Sequence, residues 1–239
     1  MSEVSVLAFE LRSDIAHFRR PDTLGTHASY PFITRTALHG LIASILGLES
    51  LPESPRCGIR LLRPVRTVAH EMSMLGKGWI DGGQQNFNRP TAIEIVVTPH
   101  YRVYYQGPLQ EELESRLQEG HSHYHTYLGS AYCLTFPVFY AAYPDTAVKS
   151  LKLGEHEDTT CVSVVPSKAV SRLMPQTEDE YARVGGVLYE HLGNRRFEGS
   201  ISLIYEVRGG AITFAPVKAS DTDRWAFLDL PDEGIVCLW

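Results

Sequence analysis

The sequence predicts an α+β fold in which residues 1–144 form a ferredoxin-like unit and residues 145–239 form a β-rich extension. Two observations predict it. Elements in the first part follow the order strand, helix, strand, strand, helix, strand, which is that of the split βαβ fold and of the RNA recognition motif. After residue 145 the pattern is mostly that of short strands. The chain has 239 residues, 44% of them hydrophobic, which is enough to bury a sizeable core.

The first strand and the first helix carry the most regular patterns. Residues 4–11 are apolar and rich in β-branched side chains, as in a strand, and a polar loop follows over 12–33. Apolar residues then share one helical face, namely Ala37, Leu38, Leu41, Ile42, Ile45 and Leu46. Thr34 is a suitable N-cap for this helix and Gly47 a suitable stop.

A long hairpin and a second helix complete the first part. Residues 59–75 and 90–105 are predicted to be extended, and the glycine-rich segment 76–89 between them is the hairpin tip. A short helix is expected between Pro108 and Gly120, and a strand over 132–142, irregular because of Pro137. In the extension, Gly209-Gly210 predicts a hairpin between residues 200–207 and 211–215.

Composition excludes several classes of protein. No apolar run approaches the ~18 residues of a membrane span, and the N-terminus lacks a secretory pattern, so we expect no membrane association and a cytoplasmic location. The four cysteines are far apart and indicate neither a zinc site nor a disulfide scaffold. The common catalytic motifs are missing, and no cofactor or metal is expected.

Charge is distributed unevenly. The net charge of −6 argues against general attraction to nucleic acid, but residues 56–105 hold seven basic and three acidic side chains. Six of the seven are arginines, whose planar guanidinium suits phosphate oxygens and stacks on bases. The alternative is that they are solvated strand residues without a partner.

Two segments are candidates for contact with RNA. The loop before the first helix supplies basic, aromatic and hydroxyl groups near a helix N-terminus, where phosphate is favoured: Arg19, Arg20, Tyr30, Thr34, Arg35 and Thr36. The hairpin tip supplies rings, amides and cations of the kind that hold single-stranded RNA: Lys77, Trp79, Asn86, Phe87, Asn88 and Arg89. The alternatives are a plain helix cap and a tip that folds back on the body.

One histidine cluster stands out. His121, His123 and His125 would share a face if this segment were extended, and could then meet a metal or transfer protons. No carboxylate lies close in sequence, so a polar, solvated loop is the preferred interpretation.

Several blocks together resemble a known family. Phe9–Arg12, Ala16–Pro21 and above all Ser29–Gly47 are similar to the N-terminal block of the Cas five family, and Pro99–Tyr104 and Tyr127–Ala131 add to the likeness. Members of this family are subunits of the type I CRISPR Cascade complex and belong to the RAMP superfamily. The resemblance covers about residues 4–142.

The resemblance implies a specific role. Family members cap the 5′ handle of the CRISPR RNA with a ferredoxin-like palm and a long β-hairpin thumb, here residues 59–105. They pack against the backbone subunit and against the large subunit that reads the target DNA. The palm and tip residues named above would then contact RNA, in a protein without catalytic residues that serves antiviral interference.

Two alternatives stay open. One branch of the family consists of metal-independent endoribonucleases that cut the precursor repeat RNA with a Tyr, Lys and His set. Tyr30, His17, His27 and the 121–125 histidines could supply acid and base here, but lysine is absent before Lys77. A stand-alone RNA-recognition domain is the other alternative, and exposed apolar surface would count against it.

Overall fold

A computed structural model describes residues 4–23, 25–76, 87–153, 158–217 and 224–239 of the chain. It is a mixed fold with few helices and many strands. The elements in these ranges are β1 (Val4–Arg12), β2 (Ile15–Ala16), β3 (Phe18–Arg19), β4 (Ser29–Tyr30), α1 (Arg35–Leu46), β5 (Arg56–Leu61), β6 (Thr67–Gly76), β7 (Phe87–Val97), β8 (His100–Gln106), α2 (Gln110–Gln118), β9 (Val138–Pro144), β10 (Lys149–Leu151), β11 (Thr159–Cys161), β12 (Val165–Pro166), β13 (Val170–Leu173), β14 (Tyr181–His191), β15 (Phe197–Glu206), β16 (Ile212–Pro216), β17 (Ala226–Leu230) and β18 (Gly234–Leu238).

Helix α1 begins and ends where the sequence predicts. The Thr34 side chain accepts a hydrogen bond from the Ala37 N–H, and Gly47 ends the helix with a left-handed φ of 78°. Glycine adopts this conformation without steric cost, which makes it a common residue after a helix. In α2, Glu111 and Glu112 occupy the first turn, where they favour the positive end of the helix.

Strands β5, β8, β1 and β9 form an antiparallel sheet in that order. β8 lies between β1 and β5, and β1 lies between β8 and β9, so both helical connections skip a strand. Together with α1 and α2, these strands follow the predicted order of strand, helix, strand, strand, helix, strand, but the predicted strands 59–75 and 90–105 are each divided in two. The last one starts later than expected, at Val138, directly after Pro137.

Both faces of this sheet are covered. Leu7, Phe9 and Leu11 of β1 belong to the same core cluster as the apolar sides of α1 and α2. Because side chains alternate along a strand, Val6 and Ala8 point the other way, into a second cluster with residues of β17 and β18. The face of the sheet opposite the helices is therefore packed against protein at these positions.

The predicted long hairpin divides into two parts. Its inner ends are β5 and β8 of the four-stranded sheet, while β6 and β7 pair with each other and, through β7, with β2. Pro64 and Pro99 lie in the breaks, and proline does not donate to a strand ladder. From Thr67 to Leu75 nearly every residue of β6 is exposed, so this ribbon projects from the body.

The described residues after 144 form two further sheets. One has the order β10-β17-β18-β11-β16-β13, and the other has the order β12-β15-β14. The predicted hairpin at Gly209-Gly210 is wrong, because β15 pairs with β12 and β14 whereas β16 pairs with β11 and β13. The two glycines turn the chain from one sheet into the other.

One buried cluster draws residues from both parts of the chain. Cys57 and Ile59 of β5 share it with Cys161, Phe214 and the fully buried Trp239 at the end of the chain. The main chain of Trp239 also exchanges hydrogen bonds of 2.9 and 3.2 Å with Cys57. The division at residue 144 stays a prediction. Among the described residues, no helix is long and apolar enough to cross a bilayer.

Candidate nucleic-acid interface

A cleft of about 850 Å³ opens beside the projecting β6–β7 ribbon. Four of the sequence-predicted RNA contacts line it, namely Arg19, Tyr30, Thr34 and Thr36. Residues of β6, of a loop after α2 and of the β14–β15 hairpin also line the cleft. These residues are Met72, Met74, Gly129, Ser130, Tyr132, Leu188, Arg195 and Phe197. Apolar walls with a few polar and cationic groups are the usual chemistry of a ligand site.

Arg19 in β3 and Arg20 directly after it differ in whether their charge is accessible to a ligand. Arg19 is exposed and pairs with no carboxylate among the described residues. Arg20 lies against Asp22, with its Nη2 2.7 Å from the carboxylate, and this contact lowers the pKa of Asp22. The Arg20 guanidinium also lies 5.8 Å from the centre of the Tyr30 ring. Arg19 is thus the cation of this loop that is free to meet a phosphate.

Tyr30 forms part of the cleft wall. It is 6% exposed, and its hydroxyl donates a 2.8 Å hydrogen bond to the carbonyl of Gly186 in β14. Burial raises the pKa of the phenol. This geometry makes Tyr30 a rigid surface on the cleft and leaves its proton engaged in a bond within the protein.

The two threonines at the start of α1 have different tasks. Thr34 is buried and caps the helix, while Thr36 is half-buried in the cleft wall. Their hydroxyl oxygens are 3.5 Å apart. Thr36 therefore offers the accessible hydroxyl at this helix start.

Arg35 is placed differently from the expectation. Its side chain is 2% exposed, and its guanidinium donates to the carbonyl of Tyr189, to the main-chain oxygen of Trp239 and to the hydroxyl of Ser54. The Tyr189 ring packs against it at 4.5 Å. Because all three nitrogens are used inside the protein, Arg35 does not join the surface that can meet phosphate. It holds the fold together instead.

Two histidines lie in the cleft wall. His17 is 5% exposed, and its Nδ1 donates to the carbonyl of Glu94 at 2.8 Å, while Nε2 has no hydrogen-bond partner in the part of the chain that the structure describes. The ring of His27 stacks 6.4 Å away. Burial lowers the pKa of His27, and nearby Arg19 adds to the effect, so this imidazole is neutral at pH 7.

Similarity to known proteins shows the family of this chain. The model of the CRISPR-associated protein (Cas_Cas5) family matches residues 6–183, which is most of the chain. The chain belongs to this family. The resemblance seen in the sequence is confirmed. No curated protein sequence matches the chain.

One solved structure has a similar fold, and two others align less well. A chain titled "CRISPR RNA-guided surveillance complex" is similar with a TM-score of 0.54 and 13% identity, over 92% of this chain and 95% of the other. A CRISPR protein from Archaeoglobus fulgidus aligns with a TM-score of 0.49 and 10% identity, over 97% and 98%. A structure titled "Crystal structure of Cas protein" gives 0.45 and 17%, over 85% and 95%.

The tip of the long hairpin in this Cas_Cas5 chain is only partly described. Lys77, Trp79 and Asn86 lie outside the described residues, and for Phe87 only the main chain is described. Asn88 is exposed and Arg89 half-buried on β7, where they pair with Leu75 and Met74 of β6. Contact of the tip with RNA stays a prediction.

Part of the basic excess of residues 56–105 is used inside the protein. Arg102 donates to Glu10 at 2.6 Å and to Glu233, and Arg60 donates to Glu233 at 2.9 Å. Tyr104 also donates to Glu233. The basic surface of residues 56–105 is therefore smaller than the number of cations suggests, because two of the seven belong to this partly buried network.

The histidine cluster forms a loop on the end of α1. The N–H groups of His123 and Tyr124 donate to the carbonyls of Ile45 and Ser44, and the His123 ring packs beside Gly47. All three histidines are exposed. Within the described ranges, no group of three metal-ligating side chains converges.

Sequence reasoning missed the part of the cleft that comes from the extension. Leu188, Arg195 and Phe197 belong to β14, its following turn and β15, which the sequence analysis did not connect with RNA. The run Gly193-Asn194-Arg195-Arg196 is a local signal for a basic turn between two strands. Its position over the cleft depends on pairing far along the chain and has no local signal.

Proposed function

We propose that this chain is the subunit that caps the 5′ handle of the CRISPR RNA in a type I Cascade complex. The four-stranded sheet with α1 and α2 is the ferredoxin-like palm, and the β6–β7 ribbon is the thumb. One observation carries the proposal: in a Cas_Cas5 chain, the cleft gathers four of the six palm side chains that the family resemblance assigns to RNA, namely Arg19, Tyr30, Thr34 and Thr36.

The chemistry of the cleft supports single-stranded RNA. An accessible cation in Arg19 and a hydroxyl in Thr36 suit phosphate and ribose oxygens, whereas the rings and methionine side chains of the wall suit an unstacked base. The opposite sheet face is occupied by β17 and β18, which favours this cleft over binding in the manner of an RNA recognition motif.

An exposed apolar stripe supports protein partners. Five apolar residues at alternate positions face solvent, from Tyr132 through Leu134, Phe136 and Val138 to Tyr140, each between 41% and 73% exposed. Contiguous exposed apolar surface is unusual on a protein that works alone. We assign the stripe beyond Tyr132, which itself lines the cleft, to contact with a neighbouring Cascade subunit, in a cytoplasmic ribonucleoprotein that serves antiviral interference.

The test is binding of labelled repeat RNA from the array of the same organism. We expect Arg19→Ala to weaken binding about fivefold and to lower the salt dependence by the share of one phosphate contact. Arg172→Ala, an exposed arginine on β13 away from the cleft, is the matched control. Equal binding by wild type and Arg19→Ala, or no binding by wild type, contradicts the proposal.

Endoribonuclease activity is the second candidate. The neutral, half-buried His27 in the cleft favours it, because such an imidazole can accept the proton of a 2′-hydroxyl. Incubation of repeat RNA with the protein in EDTA tests it. A single cut that His27→Ala abolishes supports the nuclease, whereas intact RNA leaves capping as the function.

A further inference from the structure

The turn between β14 and β15 has a defined, unusual backbone. Gly193, Asn194 and Arg195 all have positive φ angles, of 76°, 49° and 57°. The Leu192 N–H donates to the Arg196 carbonyl, and the Arg196 N–H donates to the Gly193 carbonyl, both at 2.9 Å. A left-handed backbone costs energy for a residue such as arginine, so the turn holds the main chain of Arg195 in a conformation that arginine rarely adopts.

Bonds from the first part of the chain fix this hairpin beside the cleft. The Tyr30 hydroxyl binds the Gly186 carbonyl, and the Arg35 guanidinium binds the Tyr189 carbonyl and packs on its ring. Farther along the hairpin, Arg195 and Phe197 line the cleft itself. The hairpin therefore meets the cleft from the extension, while the β6–β7 ribbon meets it with Met72 and Met74.

The exposed groups at the end of the hairpin suit nucleic acid. Arg195 and Arg196 are exposed and pair with no carboxylate among the described residues. Phe197 is 43% exposed, with the His191 ring 5.1 Å from it. The nearby Glu190 accepts from Ser54 and faces Arg35, so its charge is met inside the protein. Cations beside an accessible ring are the usual grip on a single strand.

We propose that residues 191–197 are a second RNA-binding arm, in which Arg195 contacts a phosphate and Phe197 stacks on a base of the RNA in the cleft. The inference rests on the proposed function and extends it to a part of the chain that lies beyond the palm and thumb. The RNA is then held from two sides, by a hairpin of each part of the chain.

The variants are chosen to leave the fold intact. Arg195→Asn removes the cation but keeps a residue that tolerates positive φ, and Phe197→Ala shortens an exposed side chain. The controls are Arg172→Asn on β13 and Tyr124→Ala, a 55% exposed ring outside the cleft and outside the stripe. Thermal unfolding of all four variants accompanies the measurements with labelled repeat RNA.

We expect Arg195→Asn to weaken binding about fivefold and to lower the slope of log affinity against log salt by about 0.7, the share of one single-strand phosphate. We expect Phe197→Ala to weaken binding about tenfold, as for the loss of one stacked base. In wild-type protein, RNA that contains 4-thiouridine should crosslink to the peptide that holds residues 191–197, which needs no variant.

The outcomes separate the two proposals. If Arg19→Ala weakens binding but both arm variants bind as wild type and no crosslink reaches 191–197, the arm is overturned and the proposed function stands. If wild type does not bind the RNA, both fail. If the arm variants lose only the capture of a partner protein, the arm is a protein contact and the inference is overturned.

Discussion

Arg35 connects the start of α1 to two distant parts of the chain. Its guanidinium donates to the Tyr189 carbonyl in β14, the Trp239 oxygen and the Ser54 hydroxyl, and the Arg35 side chain itself is only 2% exposed. Loss of the side chain leaves these acceptors without a donor and opens a cavity. We expect Arg35→Ala to lower the free energy of unfolding by about 3 kcal/mol, measured by urea denaturation.

Arg35→Lys is the informative companion variant. The lysine ammonium keeps the charge but does not reproduce three planar hydrogen bonds, so Arg35→Lys should lose less unfolding free energy than Arg35→Ala. At temperatures where Arg35→Ala stays folded, the salt slope of RNA binding should equal that of wild type. A wild-type stability for Arg35→Ala, or a reduced salt slope, would contradict the buried role.

Gly129 is a position where only glycine fits. Its φ is 86°, and a Cβ atom there would lie 2.1 Å from the carbonyl oxygen of His17. The Gly129→Ala substitution must therefore displace the main chain at His17, a residue that lines the cleft. We expect a loss of unfolding free energy of about 3 kcal/mol, together with weaker RNA binding.

Gly120→Ala is the control for Gly129→Ala. Gly120 has a φ of 63°, but a Cβ atom would meet nothing within 4 Å. Strain of the left-handed backbone alone should cost about 1 kcal/mol there. Calorimetric unfolding of both variants separates strain from collision, and equal losses would show that the collision is relieved at no cost.

The β6–β7 ribbon is an element built for function more than for stability. Its outer part is exposed on both faces, while Ile93, Ile95 and Val96 anchor its base. We expect that replacing residues 73–90 with an Asn-Gly turn, next to the Met72–Thr91 pair, leaves the melting temperature within a few degrees of wild type. RNA affinity should fall tenfold or more, as measured by fluorescence anisotropy.

The hairpin replacement would contradict the thumb assignment if RNA affinity stayed unchanged in a folded variant. A collapse of the melting temperature would show that the ribbon belongs to the core. The intact chain, assayed in the same buffer and with the same RNA, is the reference for both measurements.

Features set by neighbouring residues were predicted correctly, whereas two features that depend on distant parts of the chain were not. Thr34 and Gly47 define α1 because a helix cap is made by neighbouring residues. Gly209-Gly210 misled because a turn does not say which strands pair beyond it. Arg35 misled in the same way, since its burial depends on Tyr189 and Trp239, more than 150 positions away.

At the scale of the whole molecule, the exposed stripe between Tyr132 and Tyr140 is the surface that we expect to bind a neighbouring subunit. Buried Cys133 and Thr135 alternate with its exposed members and fix its orientation. We expect the double substitution of Leu134 and Phe136 by serine to reduce co-purification with a neighbouring Cascade subunit by tenfold or more, with RNA affinity unchanged. Val217→Ser, at a 42% exposed site elsewhere, is the control and should co-purify as wild type.

Stability of the whole molecule should fall in acid in two stages. Burial, aided by the charge of Arg35, lowers the pKa of His39 in α1 to about 3. The unfolded chain takes up this proton below pH ~6.5 and the folded protein does not, so unfolding becomes easier as the pH falls from 6.5 toward 3. Burial opposes ionisation of Glu10 and Glu233, but hydrogen bonds from Arg102 to Glu10 and from Tyr104 to Glu233 prevail and lower both pKa values.

As the pH falls, Glu10 and Glu233 therefore begin to affect stability at a lower pH than His39 does. Their stabilisation is present above the unfolded pKa of ~4.5 and is lost below it, which adds a second stage of destabilisation. We expect a loss of about 2 kcal/mol between pH 7 and pH 5 from His39 alone, measured by urea denaturation at each pH. His39→Leu should remove the His39 share of this first stage, leaving that of His27, and keep the second stage, whereas His121→Leu, at an exposed site, should keep both in full. If His39→Leu lost as much stability as wild type between pH 7 and pH 5, the first stage would have to come from another group.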